Sequence, residues 1–355
     1  MTLMLVLTFL GGIVALVVGA EALVRGASRL ALGLGLSPLV IGLTVVAYGT
    51  SAPEMATSVG AALSGAPDIA LGNVVGSNIA NVLLVLGLSA LLAPLVVSRQ
   101  LVWLDVPVML GVSVAVLVMA LDGGISRLDG LLLLVGGVAY TVLQLRLGRR
   151  EAAAAAEAGA LPGGRPVPWR DGLLILAGLV LLVLGARWLV GGAVQVAQLL
   201  GMSELVVGLT IVAVGTSLPE VATSLLATFR GQRDIAVGNI VGSNIFNLLI
   251  VLGPAAALSP EGIAVSGAAI RFDLPVMTAV ALACLPIFFT GHRIARWEGG
   301  LFLGYYVAYV AYLLLDAAGH DALPAFSMAM MAFVVPLTVI TLLVVAARAW
   351  RAGHR

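Results

Sequence analysis

The chain has 355 residues, of which 61% are hydrophobic and 10% are charged. Soluble domains carry about 25% charged residues, so this composition excludes an ordinary soluble domain. The net charge of +1 predicts no nucleic-acid partner. Together with a mean hydropathy of +1.15, repeated apolar runs predict an all-α polytopic membrane protein surrounded by a lipid bilayer.

Taken in chain order, the apolar runs predict eleven membrane-spanning helices. The first could be mistaken for a cleaved signal peptide, because Ala20-Glu21-Ala22 resembles a cleavage site. No basic residue precedes it, however, so we expect a retained helix. The predicted spans are 3–24, 38–64, 70–94, 103–121, 128–146, 171–191, 204–229, 236–258, 272–290, 297–316 and 325–347.

One stretch of the chain occurs twice. Residues 49–87 and 215–253 align without a gap, and 25 of their 39 positions are identical. Weaker matches extend the repeat on both sides, so each half is predicted to be one copy of a five-helix unit. The predicted organisation is a first repeat at 1–146, a cytoplasmic linker at 147–170, a second repeat at 171–316 and an additional transmembrane helix at 325–347.

The odd number of helices in each unit fixes the relation between the two halves. A chain that crosses the membrane five times begins its second unit on the opposite side, so the repeats are predicted to be inverted. The arginines predict the orientation, since positive residues favour the cytoplasmic side. With the N-terminus outside, fifteen of the eighteen arginines face the cytoplasm, and the eleventh helix places the C-terminus there too.

Each copy of the repeat carries a glutamate directly after a proline. Glu54 follows Pro53, and Glu220 follows Pro219. Proline cannot donate a hydrogen bond to the carbonyl four residues earlier, so the helix is predicted to loosen there. A simple kink would explain the prolines but not an acid at the next position in both halves. An acid within a membrane helix is costly and indicates a functional site.

Helical spacing places further polar groups beside both acids. On the face of Glu54 lie Ala47, Thr50, Ser51 and Ser58, and the following helix adds Asn73, Ser77 and Asn81. Hydrogen bonding between helices explains four of these residues as well as binding of an ion does; they are Ser58, Asn73, Ser224 and Asn239. The counterparts in the second half are Ala213, Thr216, Ser217, Glu220, Ser224, Asn239, Ser243 and Asn247.

All of these candidate ligands are oxygen atoms, which suit hard cations such as Ca2+ and alkali ions rather than zinc or copper. The three histidines lie in loops or the tail, and no cysteine is near the motif. Two glutamates match one divalent ion in charge. Leaving both ionised without a cation would be costly, so monovalent cations or protons must replace the divalent ion, which predicts antiport.

The paired motifs GTS-x-PE and GN-x-x-GSNI-x-N resemble the α-repeats of the calcium/cation antiporter superfamily. The resemblance covers about residues 1–316 and is closest to prokaryotic sodium/calcium exchangers. It implies ten core helices in two inverted repeats, with Ca2+ and Na+ as transported substrates rather than cofactors. It also implies a prokaryotic inner membrane location and a sliding movement of the first and sixth helices.

The resemblance further implies which residues hold the ions. Ca2+ is expected on the carboxylates of Glu54 and Glu220 and on the carbonyls of Thr50 and Thr216. Na+ is expected at Ser51, Ser77, Ser217 and Ser243 and at the carbonyls of Ala47 and Ala213. Asn81 and Asn247 are amides where some family members have an aspartate, which disfavours the potassium-dependent subtype.

Other functions remain to be weighed against this one. A proton-coupled exchanger of Ca2+ or another cation would use the same two glutamates and stays open. A cation channel is disfavoured, because the acids come from two halves of one chain rather than from a ring of subunits. An enzyme is disfavoured because no intramembrane histidine could activate Ser51 or Ser217. The sequence leaves the oligomeric state and the role of the eleventh helix undefined.

Several charged residues outside the repeat motif are predicted to have structural roles. Asp68, Asp105, Asp234 and Asp273 stand near helix starts, where an acid favours the helix dipole, so we expect them to cap helices. Glu21 and Arg187 occupy equivalent places in the first and sixth helices. Both are expected to extend towards the membrane surface.

Overall fold

The computed structural model describes residues 2–157, 168–199 and 213–353. Within them, nine helices are long and apolar enough to cross a membrane, or ten when a helix pair bent by 45° counts as one span. This confirms the predicted all-helical membrane fold. The middle of the predicted linker and the start of the predicted span 204–229 lie outside the described residues.

The first repeat contains five helical spans. The second of them, α2, is the bent pair and consists of two parts separated at Ser51. The spans are α1 (Thr2–Leu34), α2 (Pro38–Thr50 and Ala52–Leu63), α3 (Pro67–Leu92), α4 (Leu101–Asp122) and α5 (Arg127–Glu157).

The second repeat has the same order. The described part of its second span, α7, is interrupted at the position equivalent to the break in α2. The helices are α6 (Pro168–Leu199), α7 (Ala213–Gly215 and Leu218–Phe229), α8 (Arg233–Leu258), α9 (Ala269–Phe289) and α10 (Arg296–Ala317), followed by α11 (Leu323–Val345 in its apolar part).

Three helices extend well beyond their predicted ends. Helix α1 continues to Leu34 rather than stopping at 24, and α6 continues to Leu199 rather than stopping at 191. Helix α5 continues to Glu157 through the Ala-rich start of the predicted linker. Hydropathy marks the part of a helix that lies in lipid, whereas alanine, leucine and arginine favour helix in water as well. The helices therefore continue past the apolar runs that predicted them.

Two very short antiparallel ladders join the repeats. Strand β1 (Leu95–Val96) pairs with β4 (Arg293–Ile294), and β2 (Gly124–Ile125) pairs with β3 (Ile263–Ala264). The ladders are related by the repeat symmetry, because β1 and β3 both follow the third helix of their repeat. Each ladder continues by one more bond, from the Val97 amide to the His292 carbonyl at 2.8 Å and from the Val265 amide to the Gly123 carbonyl at 2.9 Å.

The first ladder also tests the number of crossings. Paired strands must lie on the same side of the membrane, so an even number of spans must separate β1 from β4. Six spans separate these two strands in the chain, namely α4, α5, α6, α7, α8 and α9. The same count between β2 and β3 gives four spans, from α5 to α8. The ladders therefore support an odd number of spans in each repeat, and hence inversion.

The third helix of each repeat forms the centre of the molecule. In its most apolar window α8 is 94% buried and α3 is 78% buried, whereas α1 and α6 are largely exposed to the surroundings. The exposed faces of the outer helices are apolar, as expected of surfaces in contact with lipid. Polar groups on α3 and α8 are therefore held inside the protein.

The prediction that Asp105 caps α4 is wrong. Its side chain makes no capping bond to the helix and instead accepts hydrogen bonds from Tyr140, Gln144 and Gln100. The equivalent Asp273 likewise does not cap α9 and accepts a bond of 3.1 Å from Tyr309. Both helices start with a π turn, Leu101–Asp105 and Ala269–Asp273, which carries the aspartate at its end rather than ahead of the helix.

Candidate ion-binding site

The site begins at matching helix breaks. Helix α2 is interrupted at Ser51, with φ −82° and ψ 4°, and α7 is interrupted at Ser217, with φ −85° and ψ 5°. In each case the proline stands at the start of the next helical segment, where its missing N–H does no harm. Glu54 and Glu220 then lie in the first turn of that segment, where a negative charge interacts favourably with the helix N-terminus.

Hydrogen bonds across the repeats bring the two motifs together. The Ser51 hydroxyl of the first repeat donates to Glu220 Oε1 of the second at 3.4 Å. Thr50 Oγ1 donates to Asn239 Oδ1 at 3.0 Å and lies 3.5 Å from Ser243 Oγ. The site is thus formed between the halves rather than within either one.

The reciprocal contact is present on the other side of the site. The Ser217 hydroxyl of the second repeat donates to Ser77 Oγ of the first at 3.4 Å. Hydroxyls from four helices therefore surround the two glutamates; they belong to Thr50 and Ser51 on α2, Ser77 on α3, Ser217 on α7 and Ser243 on α8.

The two carboxylates are completely buried and lie close enough to interact electrostatically. Neither oxygen of Glu54 has a hydrogen-bond partner, and Oε2 of Glu220 also lacks one. Buried polar atoms are nearly always paired, because an unpaired one loses the free energy of its bonds to water. Three unpaired carboxylate oxygens on two buried acids are what is expected of groups that bind a cation.

Two asparagine amides add to this set. Asn81 and Asn247 are buried, and both polar atoms of each side chain are without a partner. Each asparagine begins a π turn, Asn81–Leu86 in α3 and Asn247–Val251 in α8. A π turn shifts the hydrogen-bond pattern of the helix and is often found at functional sites. The sequence motif gave no indication of these turns.

Asn73 and Asn239 each form a hydrogen bond between helices. Asn73 Nδ2 donates to Ser58 Oγ at 2.9 Å, and Asn239 Nδ2 donates to Ser224 Oγ at 3.0 Å. These equivalent bonds join the second and third helices of each repeat. Asn239 also accepts a hydrogen bond from the Thr50 hydroxyl. The second repeat therefore has one contact with the site that the first repeat lacks.

The remaining predicted positions lie beside the breaks. The Ala47 carbonyl accepts the Ser51 amide at 3.0 Å and the Thr50 hydroxyl at 3.4 Å. Thr216 lies in the turn between the two segments of α7 and is half-buried, unlike the fully buried Thr50. Ala213 begins the first segment of α7.

A further hydroxyl was missed by sequence reasoning. Thr223 is fully buried one turn after Glu220, and its Oγ1 has no partner. Its position in the sequence, three residues after Glu220, could have identified it. Its counterpart Thr57 is exposed, so the two halves of the site are not equivalent here.

The donor set determines what the site can bind. In the described part of the chain, no group of three or more His, Cys, Asp and Glu residues could hold a metal ion. The candidate ligands are two carboxylates with hydroxyl and amide oxygens, which suit hard cations. Two negative charges balance one divalent ion or two monovalent ones.

Comparison with known proteins agrees with this geometry. The chain matches the family described as sodium/calcium exchanger protein over residues 4–146 and 172–315, one match for each repeat. The sodium/calcium exchanger MaX1 of Methanosarcina acetivorans is 34% identical over 303 residues, covering 74% of this chain and 85% of that protein. The inner membrane protein YrbG of Escherichia coli is 36% identical over 272 residues, with coverages of 74% and 82%.

A solved structure gives the same result at the level of the fold. The sodium/calcium exchanger from Methanococcus jannaschii superposes with a TM-score of 0.76 at 33% identity, covering 88% of this chain and 99% of that one. The family match covers both repeats, and the superposition covers most of the chain. From the repeat motifs, the fold and these matches, the chain belongs to the sodium/calcium exchanger family.

Proposed function

We propose that this membrane antiporter exchanges Ca2+ for Na+ at one site between Glu54 and Glu220. The observation that carries the proposal is the cluster of unpaired buried oxygens on these two glutamates at the interface of the repeats. Ca2+ would be held by the two carboxylates with the carbonyls of Thr50 and Thr216. The two negative charges then neutralise the divalent ion, which offsets the loss of its hydration.

Na+ would use the hydroxyl groups that surround the acids. Ser51, Ser77, Ser217 and Ser243 supply neutral oxygens, and the carbonyls of Ala47 and Ala213 extend the set. Asn81 and Asn247 would contribute amide oxygens without adding a third negative charge. If Ca2+ left without a replacement, two ionised carboxylates would remain buried without a cation. Because that state is costly, Na+ must replace Ca2+. Obligatory exchange follows from this charge balance.

The inverted repeats provide the movement by which the site is opened to one side of the membrane and then to the other. Because the halves are related by a two-fold axis in the membrane plane, each can adopt the conformation of the other. Exchanging the two conformations would expose the same glutamates first to one side of the membrane and then to the other. The helices α1 and α6 pack closely against each other and are proposed to slide past the rest.

Equilibrium binding tests the site directly. Purified protein should bind radioactive Ca2+, and Na+ should displace it with a sigmoidal concentration dependence, since more than one Na+ replaces each Ca2+. K+ at the same ionic strength should not displace it. Ser77→Ala should weaken displacement by Na+ more than it weakens binding of Ca2+, because the hydroxyl is assigned to Na+. Equal displacement by K+ and Na+ would contradict the proposal.

A proton-coupled exchanger is the second candidate. The buried pair Glu54 and Glu220 could take up protons in place of Na+ without any other change in the structure. The ring of hydroxyl oxygens favours Na+, because protons alone would not require these ligands. Displacement of Ca2+ by lowered pH but not by Na+ would support the proton-coupled alternative.

We further propose that the N-terminus is outside and the C-terminus is cytoplasmic in a prokaryotic inner membrane. A cysteine at Thr2 in a Cys284→Ala background should react with an impermeant thiol reagent in intact cells. A cysteine at Gly353 should be protected until the membrane is permeabilised. Labelling at Gly353 from outside would mean that α11 does not return the chain to the cytoplasm.

A further inference from the structure

One ion pair connects parts of the molecule that the proposed movement would separate. Glu21 on α1 accepts two bonds from Arg230 at the end of α7, from Nε at 3.0 Å and from Nη2 at 2.9 Å. Such two-bond contacts between arginine and a carboxylate fix a geometry as well as contributing free energy. Glu21 also pairs with Arg25 on its own helix.

Helices α1 and α6 form a unit, here called the α1–α6 pair. Glycines of each helix lie directly against the backbone of the other. A Cβ built at Gly19 would be 2.8 Å from the Gly178 carbonyl, and one at Gly185 would be 2.8 Å from the Gly12 carbonyl. Such close backbone packing binds the two helices to each other more tightly than to the rest of the protein.

The α1–α6 pair does not cover the two repeats equally. The segment Leu218–Phe229 of α7 packs into the apolar cluster formed by α1 and α6, and Thr223 on it is fully buried. On the equivalent segment Ala52–Leu63 of α2, Ala56, Thr57 and Gly60 are exposed. The pair is thus seated over the half of α7 that ends at Arg230, which faces the cytoplasm in the proposed orientation.

Repeat symmetry predicts the contacts of the opposite conformation. In that conformation the α1–α6 pair would cover Ala52–Leu63 instead of Leu218–Phe229. Each contact would be replaced by one between the repeat counterparts of its two residues. The counterpart of Glu21 is Arg187 and that of Arg230 is Ser64, each at an offset of 166. An arginine and a serine cannot form an ion pair, so the opposite conformation lacks this contact.

We infer that Glu21 and Arg230 form a latch that favours the conformation closed at the cytoplasmic face. The inference rests on the proposed function, since it requires the α1–α6 pair to move. The latch can open at moderate cost, because Glu21 keeps Arg25 as a partner and both side chains of the latch remain partly exposed to solvent. The two halves of the exchanger would therefore not be equivalent in free energy despite their similar sequences.

Spin-label distances test the Glu21–Arg230 latch without relying on transport. Nitroxide labels at Arg29→Cys, near the cytoplasmic end of α1, and at Arg99→Cys, beside the ladder of β1 and β4, report the position of the pair against the core. A Cys284→Ala background removes the remaining thiol. We expect two distance populations whose ratio responds to Na+ and Ca2+.

Breaking the latch should change this ratio. Glu21→Gln and Arg230→Gln should each shift the populations about fivefold towards the opposite conformation, the size expected of a partly exposed ion pair. Arg25→Gln is the matched control, because its pair with Glu21 lies within one helix and is the same in both conformations. It should leave the ratio unchanged.

Two double variants separate a latch from a general loss of stability. Glu21→Arg with Arg230→Glu should restore most of the original ratio. Ser64→Arg with Arg187→Glu should build the mirror contact and shift the populations in the same direction as Glu21→Gln. An unchanged ratio in both single glutamine variants, or an equal shift in Arg25→Gln, would overturn the latch alone. A single population that ignores Na+ and Ca2+ would overturn the sliding movement as well.

Discussion

Glu54→Gln and Glu220→Gln are each expected to abolish Ca2+ exchange while leaving the protein folded and extractable. Charge balance with a divalent ion needs both carboxylates, and a neutral amide removes one of the two negative charges. The folded protein should tolerate the change, because a buried amide is less costly to desolvate than a buried carboxylate. Exchange is measured as Na+-dependent uptake of radioactive Ca2+ by proteoliposomes, with folding checked by gel filtration and thermal unfolding.

Asp105→Asn is the matched control for these variants. Asp105 is a fully buried acid of a membrane helix, but its partners are Tyr140, Gln144 and Gln100 rather than the residues of the site. Asparagine keeps one oxygen to accept the Tyr140 hydroxyl, so exchange should persist. Normal exchange in either glutamine variant would remove that glutamate from the site, and loss of exchange in all three would point to a general effect of buried acids.

Alanine at Gly19 or Gly178 is expected to disrupt the α1–α6 pair. A Cβ at Gly178 would lie 2.7 Å from the Gly19 carbonyl and 2.7 Å from the Leu23 amide nitrogen. Both contacts are with backbone, which cannot rotate away as a side chain can, so the helices must move apart. Overpacking of this kind costs about 1–3 kcal/mol. We expect a lower unfolding temperature and slower exchange.

Gly172→Ala provides the comparison within the same helix. A Cβ there would meet nothing within 4 Å, so the substitution should leave unfolding and exchange unchanged or slightly raise stability through helix propensity. If Gly178→Ala behaved like Gly172→Ala, the close packing of α1 on α6 would not be important for stability or transport.

The sequence predicted the fold well because two independent patterns agreed. Apolar runs located the spans, and the repeat of residues 49–87 at 215–253 required an internal symmetry. Helix ends were predicted less well, since α1, α5 and α6 each continue beyond the apolar run that located them. The ladders of β1 with β4 and β2 with β3 are two residues long, too short to leave a pattern in the sequence.

The composition of the site was predictable, but its asymmetry was not. The repeats are nearly identical around Glu54 and Glu220, so sequence reasoning treats the two acids alike. In the structure, Glu220 accepts a hydrogen bond from Ser51 whereas both oxygens of Glu54 lack a partner. The equivalent hydroxyl of the other repeat, Ser217, donates to Ser77 rather than to Glu54, and the sequence does not distinguish these two partners. The caps expected at Asp105 and Asp273 failed because tyrosines from the fifth helix of each repeat bind these aspartates instead.

Uptake of Ca2+ into proteoliposomes under defined gradients tests the central claim most directly. Vesicles loaded with Na+ and diluted into Na+-free medium should accumulate Ca2+ without any K+, and uptake should stop when Na+ is equal on both sides. A pH gradient of matched size should not drive it. Uptake that follows the pH gradient and ignores the Na+ gradient would contradict Na+/Ca2+ exchange and assign the site to proton coupling.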